Sequence, residues 1–251
     1  MKFIILLGIF LLLSTYSIGL AKLEDVAYEF KQVSSCYGPS DLILDRDGAK
    51  VDVPNLDARF IFLEALGKIQ IINLKQRKTA TIDLQRWLKD GPPVFNWMDP
   101  PALLPDVQGK KTQVCGLPAV VYKGGPDKPM AFDPAEGGLS QGLGKKDVWL
   151  YSEATFCNEF ELSKKMDQFL IGMFRLGQAK HLYPLGRVDY CRSGPKIALR
   201  TIAIKKIDPR QCNIAFEKGY REVSLSDVST SARKDDFALE LIKGFSLGKG
   251  K

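Results

Sequence analysis

The chain has 251 residues, a formal net charge of +7 and 45% hydrophobic residues. This composition is ordinary for a globular protein, and the length allows a sizeable core without disulfides or metals to hold it together. Beyond the N-terminus no apolar run approaches the length needed to span a membrane.

The first 21 residues have the pattern of an export signal. Lys2 precedes the apolar run Phe3–Leu13, and the more polar stretch Ser14–Ala21 ends in Gly-Leu-Ala, the small-x-small pattern of a signal peptidase site. We therefore expect cleavage near Ala21 and a mature protein in the periplasm or secreted. The alternative is an uncleaved segment that anchors the chain in the membrane.

The next segments alternate in the two-residue period of β-strands. Strands are expected at Asp25–Gly38 and Arg59–Leu63, followed by a hairpin of Lys68–Leu74 with Lys78–Leu84. The Pro-rich stretch Gly91–Pro105 is expected to be a link, because proline cannot donate to a central strand.

Further strands are predicted after this link. They are a hairpin of Thr112–Cys115 with Ala119–Lys123, then Asp147–Ser152, Gly186–Cys191, Pro195–Lys206, Asn213–Phe216 and Tyr220–Val223. Gly124–Gly144 is expected to be a loop, because glycines and prolines interrupt it too often for regular structure.

One helix stands out from these strands. Apolar residues recur at three- and four-residue spacing over Asn158–Lys180, which predicts a long amphipathic helix. A short helix is also expected at Ser231–Lys243. The predicted fold is mainly β (α+β): a curved antiparallel sheet or open half-barrel covered by the one long amphipathic helix. We expect a signal peptide at 1–21, a single β-rich domain at 22–225 and a tail at 226–251.

The basic residues occur in short groups beside the predicted strands, such as Lys75–Lys78 and Lys145–Lys146. Solvated lysines of this kind are typical of exposed turns and of sheet edges, where they discourage pairing with another chain. Nucleic-acid binding would need them gathered on one face with aromatic residues between, and the sequence shows no such pattern, so no nucleic-acid partner is expected. Weak attraction to an anionic membrane surface is compatible with the charge.

The five cysteines show no CxxC spacing, which argues against zinc knuckles and thioredoxin-type redox motifs. In an exported protein some are expected to be oxidised. The favoured disulfide joins Cys157 to Cys191, on the expectation that the strand ending at Cys191 returns to the end of the sheet where Cys157 lies.

Catalytic patterns are weak. Gly138–Gly142 matches G-x-S-x-G around Ser140, but a Gly/Pro loop precedes the serine where a hydrolase needs a strand. His181, the only histidine, is expected at the helix end. The sequence therefore predicts a non-enzyme without metal or cofactor, and a serine hydrolase at Ser140 is the remote alternative.

An aromatic set is the stronger candidate for function. It lines either an ordinary core or an apolar pocket at the mouth of the half-barrel. Two methionines of the predicted helix suit either role. The candidate ligand-lining residues are Phe60, Phe62, Trp97, Tyr122, Trp149, Met166 and Met173.

Four stretches resemble a family of exported bacterial proteins of unknown function. They are GKKTQVCGLPAVVYKGG (109–125), KDVWLYS (146–152), AFEKGYREV (215–223) and the hairpin at 69–84. The resemblance implies a fold akin to the periplasmic lipoprotein carriers, in which helices cover an open β-barrel with an apolar cavity.

Two functions follow as expectations. The first is a periplasmic, non-catalytic protein that binds an apolar or lipidic ligand or acts in the cell envelope. The second is a protein–protein interaction module with a filled core, whose partner is another envelope protein.

Overall fold

The computed structural model describes residues 21–23, 26–35, 37–94, 109–125, 130–132, 147–174 and 181–229. The strands in chain order are β1 (Ala21–Lys22), β2 (Ala27–Ser34), β3 (Gly38–Leu44), β4 (Gly48–Val53), β5 (Ala58–Leu63), β6 (Lys68–Asn73), β7 (Lys78–Asp83), β8 (Lys110–Val114), β9 (Leu117–Gly124), β10 (Met130–Phe132), β11 (Asp147–Cys157), β12 (Phe160–Glu161), β13 (Pro184–Cys191), β14 (Gly194–Ile207) and β15 (Arg221–Glu222). The helices are α1 (Leu84–Val94), α2 (Lys164–Phe174) and α3 (Leu225–Ser229).

Thirteen of these strands form one large, open sheet. Its order is β15-β7-β6-β5-β4-β3-β2-β14-β13-β11-β9-β8, with β10 paired to β11. Strands β2 to β7 are successive antiparallel neighbours, and β14 pairs antiparallel with β2. The sheet is mixed only because β15 runs parallel to β7. The prediction of a mainly β chain with one large, open sheet is therefore confirmed, although the sheet is mixed and not purely antiparallel.

Alternation along the strands gives the sheet two chemically different faces. On one face, Phe30, Leu42, Val51, Phe60 and Ile71 lie in a continuous row across neighbouring strands. All five side chains are buried. We call this the inner face, and the opposite one the outer face. The inner face is where the main hydrophobic core lies.

The long covering helix of the sequence prediction is not shown. The helix in this region is the eleven-residue α2, and Asn158–Ser163, which the prediction placed within the helix, contains β12. Ser163 starts α2, because its hydroxyl accepts a hydrogen bond from the Met166 amide at 3.0 Å. The predicted end of the helix, residues 175–180, lies outside the described residues, as does the predicted helix Ser231–Lys243.

Two helices that the sequence reading missed complete the cover. Asp83 starts α1 by accepting a hydrogen bond from the Arg86 amide at 2.7 Å. The buried residues Trp87 of α1 and Leu225 of α3 join the same hydrophobic core as α2. Within the described residues, three short helices, and not one long one, therefore pack on the inner face. None of the helices in the described residues is both long enough and apolar enough to cross a membrane.

The chain after β14 crosses the outer face as an irregular segment, residues 212–224, which we call the strap. Glu217 accepts from Lys50 at 3.1 Å and from Arg59 at 2.6 Å, and its backbone exchanges two hydrogen bonds of 2.8 Å with the Gln70 amide group. The predicted strand Asn213–Phe216 is therefore wrong. This segment has no strand partner and is held by side chains of the sheet instead.

Beyond this crossing the strap turns around the edge of the sheet. The Arg221 and Val223 amides donate to the carbonyls of Arg77 and Thr79, which forms β15 and covers the edge strand β7. The chain then places α3 on the inner face, where the Asn73 side chain donates to the Val228 carbonyl at 3.2 Å. One continuous segment thus links the outer face, the edge and the inner face.

The disulfide Cys157–Cys191 is a wrong prediction. Cys191 lies opposite Trp149 in the β11–β13 pair, whereas Cys157 lies at the other end of β11. Eight residues of strand separate the two positions by more than about 20 Å, and a disulfide needs Cα atoms within about 7 Å. The error came from the direction of β13, which begins beside Cys157 and runs away from it. No disulfide joins the cysteines of the described residues.

We predict that non-reducing peptide mapping of the full chain finds no cross-linked peptide containing both Cys157 and Cys191. The expected products are separate peptides, each alkylated on its cysteine after denaturation without reductant. A Cys157–Cys191 cross-link would contradict the β11–β13 register described above.

We also predict that Leu225→Ala lowers the free energy of unfolding by about 2–4 kcal/mol, because it leaves a cavity where α3 enters the core. Leu225 is 3% exposed. Leu66→Ala is the control: this leucine is 58% exposed, and its loss should change stability by less than about 0.5 kcal/mol. Equal effects of the two substitutions in urea unfolding would show that α3 does not hold the strap to the core.

Candidate ligand-binding face

Aromatic side chains form the contact between the inner face and the helices. Phe62 stacks on Phe169 of α2 with ring centroids 5.2 Å apart, and Phe60 lies 5.8 Å from Trp87 of α1. The Trp87 indole N–H donates to the Phe169 carbonyl at 3.2 Å, so the two helices are also joined to each other. We call these four residues the aromatic zone.

Two glycines allow the helices to close around the indole. A Cβ atom on Gly91 or Gly172 would lie 2.2 Å from an atom of the Trp87 ring, closer than any real contact. Only glycine therefore fits at these two positions while Trp87 keeps its place. The consequence is a tight helix–helix contact centred on one tryptophan.

The structure brings together four of the seven predicted lining residues. Phe60, Phe62, Met166 and Met173 are all buried in the core between the sheet and the helices. The aromatic zone adds Trp87 and Phe169, which the sequence reading left out. The apolar spacing could have indicated Phe169, because it belongs to the same stripe of the predicted helix as Met166 and Met173. Trp87 could not be found in this way, because its helix was not predicted.

The other predicted lining residues lie elsewhere. Trp149 is buried near the N-terminal end of β11, where its indole N–H donates to the Ser152 hydroxyl at 3.0 Å. Tyr122 on β9 is half-buried and contacts Phe156 edge-on, at a centroid distance of 6.0 Å. Trp97 lies outside the described residues.

A band of polar side chains crosses the inner face beside the aromatic zone. The Gln32 amide donates to the Thr201 hydroxyl at 2.9 Å, and the Tyr183 hydroxyl donates to the Gln32 carbonyl oxygen at 2.9 Å. Burial raises the pKa of the Tyr183 phenol well above its usual value, so the hydroxyl keeps its proton and acts as a donor. Phe30 stacks on the Tyr183 ring at 4.1 Å, which joins this band to the apolar core.

Ser40 adds an unusual feature to this band. It lies opposite Gln32 in the β2–β3 pair and is buried. Within the part of the chain that the structure describes, its hydroxyl has no hydrogen-bond partner. Buried hydroxyls are normally paired, so this position has room in its bonding for a polar group from outside the chain.

A buried ion pair continues the band on β13. The Arg187 Nε donates to the Asp189 carboxylate at 2.7 Å, and the Arg187 side chain is only 3% exposed. Ser152, on the neighbouring strand β11, donates to the same carboxylate oxygen. Removing charges from water costs several kcal/mol per ion, so a buried arginine is an expensive way to stabilise a fold. We call Gln32, Ser40, Thr201, Tyr183, Arg187 and Asp189 the polar band.

The sequence reading missed the polar band entirely. Gln32 and Thr201 lie 169 positions apart in the chain and meet only because β2 pairs with β14. A hint was present in the alternation: Gln32 and Ser34 occupy the inward phase of β2 after Tyr28 and Phe30. Polar residues in the inward phase of a strand are a signal that sequence reading can use.

His181 lies away from this face, at the N-terminal end of α2. Its Nδ1 atom is 2.8 Å from the Asp167 carboxylate, and its backbone has a φ of +60°. Burial raises the pKa of Asp167, while the contact with His181 opposes that rise. An aspartate that orients a histidine is two thirds of a hydrolase triad, but Ser140 lies outside the described residues. Among the described residues no group of three or more metal-ligating side chains converges.

Comparison with known proteins adds no family: no protein-family model matches the chain, and no curated protein matches its sequence.

We predict that Asp167→Asn raises the stability of the protein at neutral pH. A carboxyl group whose pKa is raised on folding contributes stability below its unfolded pKa of 3.8 and loses it as pH rises through the folded pKa. The asparagine removes the buried charge and keeps an oxygen that can accept from His181. Thermal melts from pH 3 to pH 7 should show a gain that grows with pH. Asp41→Asn, at an exposed site, is the control and should change stability by less than about 0.5 kcal/mol. A loss of stability at pH 7 would mean that the charged contact with His181 outweighs burial.

Proposed function

We propose that this protein is a non-catalytic carrier-like protein of the cell envelope, which binds an amphiphilic, lipidic ligand between the inner face and the helices. The observation that carries the proposal is the juxtaposition of the aromatic zone and the polar band on one face of an open sheet. Acyl chains suit the first, and a polar or anionic headgroup suits the second.

The chemistry of the polar band supports a ligand with a headgroup. Arg187 is the residue type best suited to carboxylate and phosphate groups, because its guanidinium presents several donors in a fixed geometry. The buried hydroxyl of Ser40 offers a further hydrogen bond. A core built for stability alone would favour apolar residues at these positions.

Access to this face requires the helices to move. Phe169 and Trp87 cover Phe62 and Phe60, so a chain entering here would displace those two rings from the sheet. The strap affects this movement of the helices, because it leads directly into α3, which packs into the same hydrophobic core as α1. We propose that the helices act as a cover that lifts when the ligand enters.

The export signal stays a part of this proposal. A ligand of this kind fits a protein that works in the periplasm or outside the cell, with cleavage near Ala21. An uncleaved anchor is the alternative arrangement, and it leaves the proposed chemistry unchanged.

A filled-core interaction module is the second candidate. The observation that favours it is the completeness of the aromatic contacts, since Phe60, Phe62 and Phe169 are fully buried against their neighbours. In that case the polar band is structural, and no lipid enters.

The oriented pair of Asp167 and His181 is the only observation that favours the hydrolase alternative, and loss of an esterase activity in Ser140→Ala would be its test.

We predict that the full chain, purified gently from its envelope fraction, carries a lipid that native mass spectrometry detects. It should also bind a fluorescent long-chain fatty acid. The double variant Arg187→Met with Asp189→Leu should keep the fold, because replacing a buried ion pair by apolar residues is often neutral or stabilising. It should bind the fatty acid at least tenfold more weakly (about 1.4 kcal/mol), because the carboxylate loses its partner.

The control is the corresponding change at the ion pair of Lys31 with Asp41, which lies on the outer face with Nζ–Oδ1 at 4.0 Å and is not bonded to the strap. Lys31→Met with Asp41→Leu should leave fatty-acid binding unchanged. A bare mass together with no binding of the probe would support the filled-core module. If both double variants bind the fatty acid equally well, the polar band is not part of the binding site.

A further inference from the structure

Among the described residues, the strap covers one half of the outer face of the sheet and leaves aliphatic side chains of the other half exposed. On the covered half, Ile61 and Ile72 point toward the side that the strap crosses and are fully buried. Strap residue Glu217 is bonded there to Lys50 and Arg59. On the other half, around β2, β13 and β14, aliphatic side chains of the same face stay in contact with water.

Three of these bare aliphatic residues lie close together. Ile197 and Ile202 on β14 are 56% and 57% exposed, and Val33 on β2 is 37% exposed. Arg200 lies between the two isoleucines along β14 and directly opposite Val33 in the β2–β14 pair. Among the large hydrophobic residues of the described chain that are exposed, only Leu66 and Leu150 lie outside this group.

An aromatic pair extends the same surface. Tyr151 and Tyr190 stack on neighbouring strands with ring centroids 4.4 Å apart, and the Lys123 ammonium lies 3.7 Å from the centre of the Tyr151 ring. Tyr190 lies opposite Pro195, which precedes the aliphatic residues on β14. We call Val33, Ile197, Arg200, Ile202, Tyr151 and Tyr190 the outer patch.

We infer that the outer patch docks this protein on the surface of an anionic lipid bilayer. Aliphatic side chains that project from a surface enter the headgroup region, and tyrosines favour that same depth. The neighbouring cations Arg200 and Lys123 outweigh the carboxylate of Glu153, which accepts from the Tyr190 hydroxyl at 3.1 Å, and together with the net charge of +7 they complement anionic lipids. The inference does not depend on the proposed ligand, because the patch and the inner face are opposite sides of the sheet.

The test is co-sedimentation of the full chain with vesicles. We expect binding to vesicles of phosphatidylglycerol mixed with phosphatidylcholine, little binding to phosphatidylcholine alone, and weaker binding as salt is raised. Ile197→Ser with Ile202→Ser should lower the partition coefficient at least about tenfold, because the inserted apolar area is lost. Arg200→Glu should lower it by a similar factor, through loss of one cation and gain of one anion.

Leu66→Ser is the matched control, since this leucine is as exposed as Ile202 but lies in the turn between β5 and β6. It should leave vesicle binding unchanged, and the far-UV circular dichroism of all variants should match that of the parent chain. No binding to anionic vesicles, or binding that the patch variants do not alter, would overturn the inference. A concentration-dependent dimer in sedimentation equilibrium that the double isoleucine variant abolishes would also overturn it, by assigning the patch to a second copy of the chain. Fatty-acid binding measured without vesicles would be unaffected by either result.

Discussion

The pairing of β2 with β14 is the interaction on which the rest of the structure depends. It joins residues 27–34 to residues 199–207, the most distant contact in sequence among the long strand pairs. On one side of it lies the local meander β2–β7, and on the other lie β13, β11, β9 and β8. Closing so long a loop costs conformational entropy, which the β2–β14 ladder offsets with hydrogen bonds and buried side chains along its length, interrupted by one register shift between Thr201 and Ala203. Without this pairing there would be two smaller sheets and no continuous inner face.

The same pairing explains why the inner face has two kinds of chemistry. The meander supplies Phe60 and Phe62 and also the polar Ser40, while the later strands supply Thr201 and Arg187. Gln32 belongs to the strand between the two halves and bonds to Thr201 and Tyr183. A face assembled from two independently patterned halves can thus set an apolar zone beside a polar one. This juxtaposition is the basis for proposing an amphiphilic ligand and not a purely apolar one, because both ends of an amphiphile would find partners on one surface.

Much of the sheet could be predicted from the sequence, because strands separated by short turns pair with their neighbours. The hairpin β6–β7 is the clearest case: Ile69 and Ile71 alternate against Ile82 and Ala80, as the observed register has them. The helices were harder. The period of α2 was visible, but the apolar spacing already included Leu162, so the start of the helix at Ser163 was misjudged. Helix α1 was missed because Pro92 and Pro93 placed its last residues in the predicted link Gly91–Pro105, while Leu84 was assigned to the preceding strand and residues 85–90 to no element.

The polar band and the strap could not be predicted, for a common physical reason. Both depend on contacts between residues far apart in the chain, such as Gln70 with Glu217, which are 147 positions apart. Local periodicity describes which way a side chain points but not what it meets. The sequence of the strap also shows no strand-like alternation of apolar and polar residues. The strap is held by side chains of the sheet beneath it and not by the backbone hydrogen bonds of a strand ladder.

The division of the outer face follows from where the chain goes after β14. The strap must travel from β14 to the far edge at β7, and its bonds to Lys50, Arg59 and Gln70 lie on strands β4 to β6. It therefore buries Ile61 and Ile72, while Ile197 and Ile202 are left in water although they occupy the same face. Exposed β-branched residues on a sheet without cover are costly in a soluble protein, since each one keeps apolar area in contact with water. Grouped around an arginine, these residues have the composition of a surface that meets an anionic interface, whereas the inner face lies on the opposite side of the sheet under the helices.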